Sequence, residues 1–486
     1  MLQQLLDSIN GILWSNIFVA LALITGLYYT IRTRGAQFRL IKLMGKYTVE
    51  KNGTGVGRSA FQSFAVTLSG RVGTGNIAGV ATAIFIGGPG AIFWMWLSSI
   101  LGAATSIIES TLAQVYKVKD GNEYRGGTQY FIEKGLGMKK FAIAFAIASV
   151  FALGFCTPGI QGNAIADSLN NAFGFNKQIV GIVVAILIAF IITGGIKRIS
   201  EFAEKVAPIM ASIYLLVAVT LIIINIKEVP ELFSIIISSA FGKNQIFGGI
   251  AGTAIIWGVK RGIYSNEAGN GTSTHATATA EVSHPVKSGL IQALSVYVDT
   301  LFVCTSTAFM ALLTGQYNVD GIVENLAGVQ AGPGYVQGAI DLYVPGWGSA
   351  FVAISMFFFA LTTVTYNYYS SETGIFYLIS KFKKANKKSL IIILRISTVV
   401  AIILFSSKES SLAWALGDVG VGIMGWLSFI ALLMMGNVFM KVFKDFEEQY
   451  KSTGNAIFEP EKLGISNAEA WNDISKWKIS VESESK

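Results

Sequence analysis

Charge is scarce in this chain: 14% of its 486 residues are Asp, Glu, Lys or Arg, against about one quarter in ordinary soluble domains. With 52% hydrophobic residues and a mean hydropathy of +0.55, that scarcity excludes a soluble globular class and leaves a polytopic membrane protein. Cysteine is rarer still. Cys156 and Cys304 both fall in apolar runs, so no disulfide framework is suggested and both read as small core residues. Histidine is confined to His275 and His284 in one predicted loop, where they are expected to be solvated or helix-capping, without a usual zinc-ligand set. No Walker-type phosphate loop occurs, so a built-in ATP motor is not expected. The first apolar run, beginning near Ile12, lacks a basic leading segment and a small-residue cleavage pattern, and reads as a retained span. The formal charge of +8 implies no nucleic-acid partner, because the basic residues sit in short loops between apolar runs and report orientation instead.

Windows of about 20 apolar residues give about eleven spans, near 11–31, 61–87, 90–116, 141–167, 179–196, 206–226, 246–266, 288–315, 346–377, 390–406 and 412–440. The loop after the first span carries Arg32, Arg34, Arg39, Lys42, Lys46, Lys51 and Arg58, which predicts that it is cytoplasmic. Alternate loops agree: Lys117, Lys119, Arg125, Lys139 and Lys140; Lys197, Arg198 and Lys205; Lys260, Arg261 and Lys287; then Lys381, Lys383, Lys384, Lys387 and Lys388. The longest loop predicted outside, Gln316 to Pro345, has no Lys or Arg. An N-terminus outside and a C-terminus in the cytoplasm of a cell-membrane protein follow.

The stretch Ser69-Gly70-Arg71-Val72-Gly73-Thr74-Gly75-Asn76 interrupts the second span. Irregular backbone survives at membrane depth only where protein or a cavity satisfies it, so such a break marks a ligand site. The alternative is a glycine packing seam, since Gly75 and Gly79 have small-xxx-small spacing; packing alone does not explain Arg71 or Asn76. A dinucleotide-binding reading of these glycines fails, because membrane-spanning flanks allow no βαβ unit. Free amides at the break suit a carboxylate and free carbonyls near Ser69 and Val72 suit a hard cation. Setting aside the first span, the rest divide into two sets of five with opposite orientation. The second set also opens on a Gly- and Thr-rich span, Ile246 to Gly258, which is the pattern of an inverted-repeat transporter. Residues 1–60 form an entry span and basic linker, 61–226 and 227–440 the two repeats, and 441–486 a cytoplasmic, partly helical or disordered tail.

The motif Arg261-Gly262-Ile263-Tyr264-Ser265-Asn266-Glu267-Ala268-Gly269-Asn270-Gly271, continued through His284-Pro285-Val286-Lys287, is long and specific. Together with Arg71 to Asn76, Gly87 to Trp96 and Glu109 to Gln114 it resembles the alanine or glycine:cation symporter family over nearly the whole chain. That resemblance implies a leucine-transporter-like fold, an all-α five-plus-five inverted repeat preceded by one extra helix, and sodium-coupled uptake of a neutral amino acid. It implies the Thr74 and Gly75 amides for the substrate carboxylate and Gln161 for the substrate. It implies sodium at the Ser69 and Val72 carbonyls with Thr362 or Thr363. Asn76 and Trp257, on the two glycine-rich spans, complete the expected substrate set together with Asn367.

Asn367 stands where alanine-type members carry tryptophan, and resembles the glutamine-assigned branch. A carboxamide there leaves space and supplies a donor and an acceptor. Thr272-Ser273-Thr274 replaces the usual Ser-Ala-Pro. Glu109 and Asp299 are functional candidates as intramembrane acids, with a structural partner such as Arg71 or a backbone amide as the other reading for Asp299. Arg71 either neutralises the empty site or pairs with an acid. Trp94, Trp96, Trp347 and Trp426 read as interface anchors. The leading function is a sodium-coupled symporter, with a proton-coupled symporter as the alternative and an ion channel behind it. A membrane-embedded enzyme stands third, since it would require a nucleophile–base pair or a metal cluster and the spans offer neither. The sequence leaves the oligomeric state open, a monomer included.

Overall fold

The computed structural model describes residues 2–50, 57–121, 123–382 and 386–472. Lys51, Lys383 and Lys384, counted above among the basic loop residues, lie outside them. The described residues are mostly helical, as the membrane-spanning ones must be where no water is available to backbone amides and carbonyls.

Eight stretches among the described residues are long and apolar enough to cross a bilayer. The first joins α1 (Leu2–Leu13) to α2 (Asn16–Arg32). The window at 61–87 is broken instead, into α3 (Ala60–Arg71), a π-helical turn at Gly75–Gly79, and α4 (Val80–Gly87). Then follow α5 (Gly90–Val115), and α6 (Lys139–Phe151) running through a second π turn, Ala152–Cys156, into α7 (Thr157–Phe173). Pro158 explains that turn: it has no N–H to give the carbonyl one turn back, and Thr398 donates to Gly154 O instead, at 3.0 Å.

The window at 179–196 becomes a short α8 (Lys177–Ile192), followed by the long α9 (Gly195–Ile224). An extra helix, α10 (Val229–Ala240), lies where a loop is expected. The window at 246–266 is α11 (Ala251–Asn266), preceded by a single 3-10 turn. Next, α12 (Pro285–Tyr297) passes through a third π segment, Val298–Cys304, into α13 (Thr305–Leu312). The long loop that follows holds α14 (Pro333–Asp341), after which come α15 (Trp347–Lys381), α16 (Lys387–Ser406) and α17 (Ser410–Met434). The last window overruns α17: the chain turns at Met435 and starts α18 (Gly436–Thr453), whose buried Phe439, Phe443 and Phe446 alternate with charged residues.

α5 packs along both α11 and α12, and glycine permits that approach. A side chain at Gly258 would lie 2.3 Å from Ala91 O, and one at Gly289 2.7 Å from Ile107 O. Small residues at such crossings let backbones meet where the hydrophobic effect gives no drive. The outer flank is apolar and exposed, as at Ile186, Leu216 and Ile393, which is the surface a lipid phase requires.

Two expectations are corrected. Lys260 and Arg261 are not loop residues: both lie within α11, buried, and both pair with Asp418 of α17. His275 and His284 are not solvated but fully buried. His284 does cap a helix, accepting from Val286 N at 3.2 Å. The tail is partly helical, as expected, and its described residues reach back to the body of the molecule. Phe458 N donates to Ser283 O at 3.0 Å, and the fully buried Trp471 donates to Gln114 O at 2.9 Å. Of the tryptophans read as interface anchors, Trp94, Trp96 and Trp426 are tied inward by indole hydrogen bonds to Ala240 O, Thr305 Oγ1 and Leu13 O, while Trp347 is 48% exposed.

Candidate functional site

α3 makes its last ordinary bond from Val72 N to Leu68 O, and Val72 then turns to extended backbone with φ −76 and ψ 91. That turn releases the carbonyls of Ser69 and Val72 from helical bonding. Thr363 of α15 meets them: its hydroxyl is 3.0 Å from Ser69 O, 3.3 Å from Val72 O and 2.9 Å from Phe359 O. One hydroxyl proton serves one acceptor, so the cluster keeps spare oxygen lone pairs. Thr362 is not brought to this point, since its hydroxyl turns back to Phe358 and Phe359 O of its own helix.

Two amides of the break are engaged. Gly73 N donates to Asn76 Oδ1 at 2.8 Å, and Thr74 N to Gln161 Oε1 of α7 at 3.2 Å. Asn76 Nδ2 in turn reaches Asp299 Oδ1 at 2.6 Å. Asn76 therefore braces the break against the π segment after α12. The partner of Asp299 is thus Asn76, with Ser265 and Thr300 hydroxyls, and not Arg71. Arg71 pairs with no acid among the described residues; it is held by Gln292 O at 2.8 Å and by the hydroxyls of Ser295 and Ser106. Glu109 accepts from Gly271 N at 3.2 Å and Ser273 Oγ at 2.8 Å, holding the loop after α11.

Beside the break lies a small enclosed cavity, bounded by Gly73, Gly75, Gln161, Thr363 and Asn367 among others. Its volume is about 20 Å³, room for one water, so any larger ligand requires the walls to part. Asn367 faces it: Nδ2 donates to Thr157 Oγ1 at 3.0 Å, while the buried Oδ1 has no partner. Tyr264 OH lines the same space, also unpartnered. Trp257 lies elsewhere, on a wider cavity of about 610 Å³ walled by α1, α11 and α17. There the Lys260 and Arg261 cations stand 4.9 and 5.0 Å from its ring. The Tyr264 and Trp414 rings, 5.0 Å apart, stand between the two cavities.

Residues missed from sequence are Thr157, Tyr264 and Glu267, all of which line the small cavity. Glu267 carried a readable signal, an acid inside the long motif that closes a glycine-rich span. Thr157 carried none.

Residues 1–460 match the sodium:alanine symporter family. The chain belongs to that family. The symporter is 50% identical over 469 residues to YrbD of Bacillus subtilis, covering 96% of each chain. It is 46% identical over 428 residues to the "Sodium/proton-dependent alanine carrier protein" of Bacillus sp. PS3, covering 87% of this chain and 95% of the other. It is 39% identical over 481 residues to the "Probable sodium/glutamine symporter GlnT" of B. subtilis, covering 97% of each. The chain is therefore a multi-pass membrane symporter for an amino acid, driven by a co-transported cation, and not an enzyme.

Proposed function

We propose that this symporter imports a neutral amino acid with sodium, by alternating access across eleven spans, one helix followed by two inverted sets of five. The N-terminus lies outside and the C-terminus in the cytoplasm in this reading, which the remaining basic loops support. The observation that carries the reading is the meeting of the Thr363 hydroxyl with the Ser69 and Val72 carbonyls at the unwound turn. An all-oxygen cluster of this kind suits a hard monovalent cation, with Thr362 behind it and not a ligand.

Gln161 supports the substrate assignment. Its Oε1 occupies the Thr74 amide, the position a substrate carboxylate would take, so substrate entry exchanges one oxygen for another. Gly75 must stay bare for the break to pack on α11, because a side chain there would lie 3.1 Å from the Ser265 Cα. The unpartnered Asn367 Oδ1 awaits a donor, and a glutamine side-chain amide supplies one. Glutamine, alanine and glycine are the substrates of this reading, with glutamine first. Asn76 holds the break in shape, and Trp257 lines the approach. The cavity must widen to admit any of them, which is the motion alternating access provides. The test is uptake of labelled alanine and glutamine into proteoliposomes with sodium, potassium or a proton gradient alone. Equal uptake with a proton gradient and no sodium would overturn the sodium assignment.

A further inference from the structure

Glu267 is the one carboxylate on the small cavity's wall among the described residues. It ends α11 in a left-handed conformation, φ 55, which a residue with a side chain adopts only at a cost that the surroundings must impose. Its Oε2 accepts from Tyr366 OH of α15 at 3.1 Å, and it forms no ion pair among the described residues. The charged and titratable groups facing it are Arg71 of α3, Asp299 after α12, Tyr366 of α15 and Tyr264 of its own helix. Glu109 of α5 holds the same loop through Gly271 N. Arg71 turns its two terminal nitrogens to Gln292 O and two serines, and its buried Nε has no hydrogen-bond partner. A carboxylate enclosed without a paired cation is costly to keep ionised, and a proton removes that cost.

We infer that Glu267 is the proton-binding group of the transport cycle. In the outward-facing state, with the Tyr264–Trp414 barrier parted, the carboxylate takes a proton from water of the wide cavity, forming one O–H bond. In the inward-facing state that bond breaks and the proton leaves to water on the other face. One proton thus crosses with each amino acid in addition to the cation bound at Thr363. The inference rests on the reading of the small cavity as the substrate site.

The experiment uses full-length protein in proteoliposomes loaded with a pH-sensitive dye, with sodium equal on both sides and an inward alanine gradient. Wild type acidifies the lumen as alanine enters. Glu267→Gln carries alanine more slowly and moves no protons, and the dependence of its uptake on pH disappears. Glu267→Asp keeps the proton flux with a displaced pH midpoint. Tyr366→Phe removes a hydrogen bond to the ionised form, so its midpoint moves to higher pH. Lumen acidification by Glu267→Gln at the wild-type ratio to alanine overturns the inference, as does an unmoved midpoint in Tyr366→Phe. A folded Glu267→Gln that no longer exchanges alanine overturns it too, because the carboxylate then reads the substrate ammonium. The site reading fails separately, if Gly75→Val binds alanine as wild type does.

Discussion

Two adjacent threonines differ in what their hydroxyls face, and that difference is open to measurement. Thr363 touches the freed carbonyls, while Thr362 bonds back to its own helix. Thr363→Ala should raise the sodium concentration for half-maximal uptake at least tenfold, and Thr362→Ala should leave it within about twofold. Sodium titration of alanine uptake checks both, since loss of a charge-assisted oxygen contact is worth roughly 1.5–3 kcal/mol. Asn367 governs the other ligand. Asn367→Trp should abolish competition by glutamine while retaining that by alanine, because an indole fills the cavity and removes the acceptor. A site built to hydrogen-bond its substrate rejects analogues that leave its groups unpaired. If glutamine competes equally in both proteins, Asn367 does not select the substrate.

At the scale of elements, the break in α3 is stabilised by neighbours and not by its own sequence alone. Asn76 ties it to Asp299, Thr363 to its carbonyls, and Gln161 to its amide. A second junction joins α11 to α17, where Asp418 takes two bonds from Arg261, at 2.9 and 3.2 Å, and one from Lys260. Removing the shared acid leaves two buried cations facing each other. Asp418→Ala should therefore cost about 3–5 kcal/mol, read as a large fall in the thermal midpoint of the detergent-solubilised protein. Arg261→Lys should cost less but still be felt, since lysine cannot reproduce the two-pronged contact.

At the scale of the whole molecule, the described part of the tail docks on the helical body. Trp471 seats its indole against Gln114, and the Lys117 ammonium lies 4.8 Å from that ring and 4.0 Å from the ring of Tyr124. Trp471→Ala should release residues 456–471, seen as faster amide hydrogen exchange there with the membrane helices unchanged. Lys117 adds a pH dependence. Burial pushes its amine from the usual 10.5 down to about 7, against the opposing pull of Glu281. Between those values the released state binds the extra proton, so docking should tighten as pH rises from about 7 toward 10.5 and should not vary below 7 on this account. Exchange of the tail, corrected for the intrinsic rate at each pH, measures this; protection that weakens with rising pH would show that another group controls the tail.

Composition and apolar run length by themselves determined a polytopic helical membrane protein, because only helices longer than the hydrocarbon layer satisfy such a backbone there. Glycine clustered with Arg71 and Asn76 located the break for the same reason, as nothing but a cavity or protein neighbours tolerates it. Eight of the windows coincide with long apolar helices, while those at 61–87, 179–196 and 246–266 are shorter or broken. Tertiary structure decided what periodicity cannot carry. It chose Thr363 over Thr362, because the rotation of α15 against α3 sets which hydroxyl meets the carbonyls. It moved Lys260 and Arg261 from a loop into the core, because only the fold supplies Asp418 to neutralise them. It set Asn76 to bracing and turned Glu267 and Thr157 to the cavity, since a side chain's role there depends on which distant helix lies opposite. Hydropathy could not anticipate the docked tail: a few aromatic residues on a charged segment are buried only when a folded surface exists to receive them.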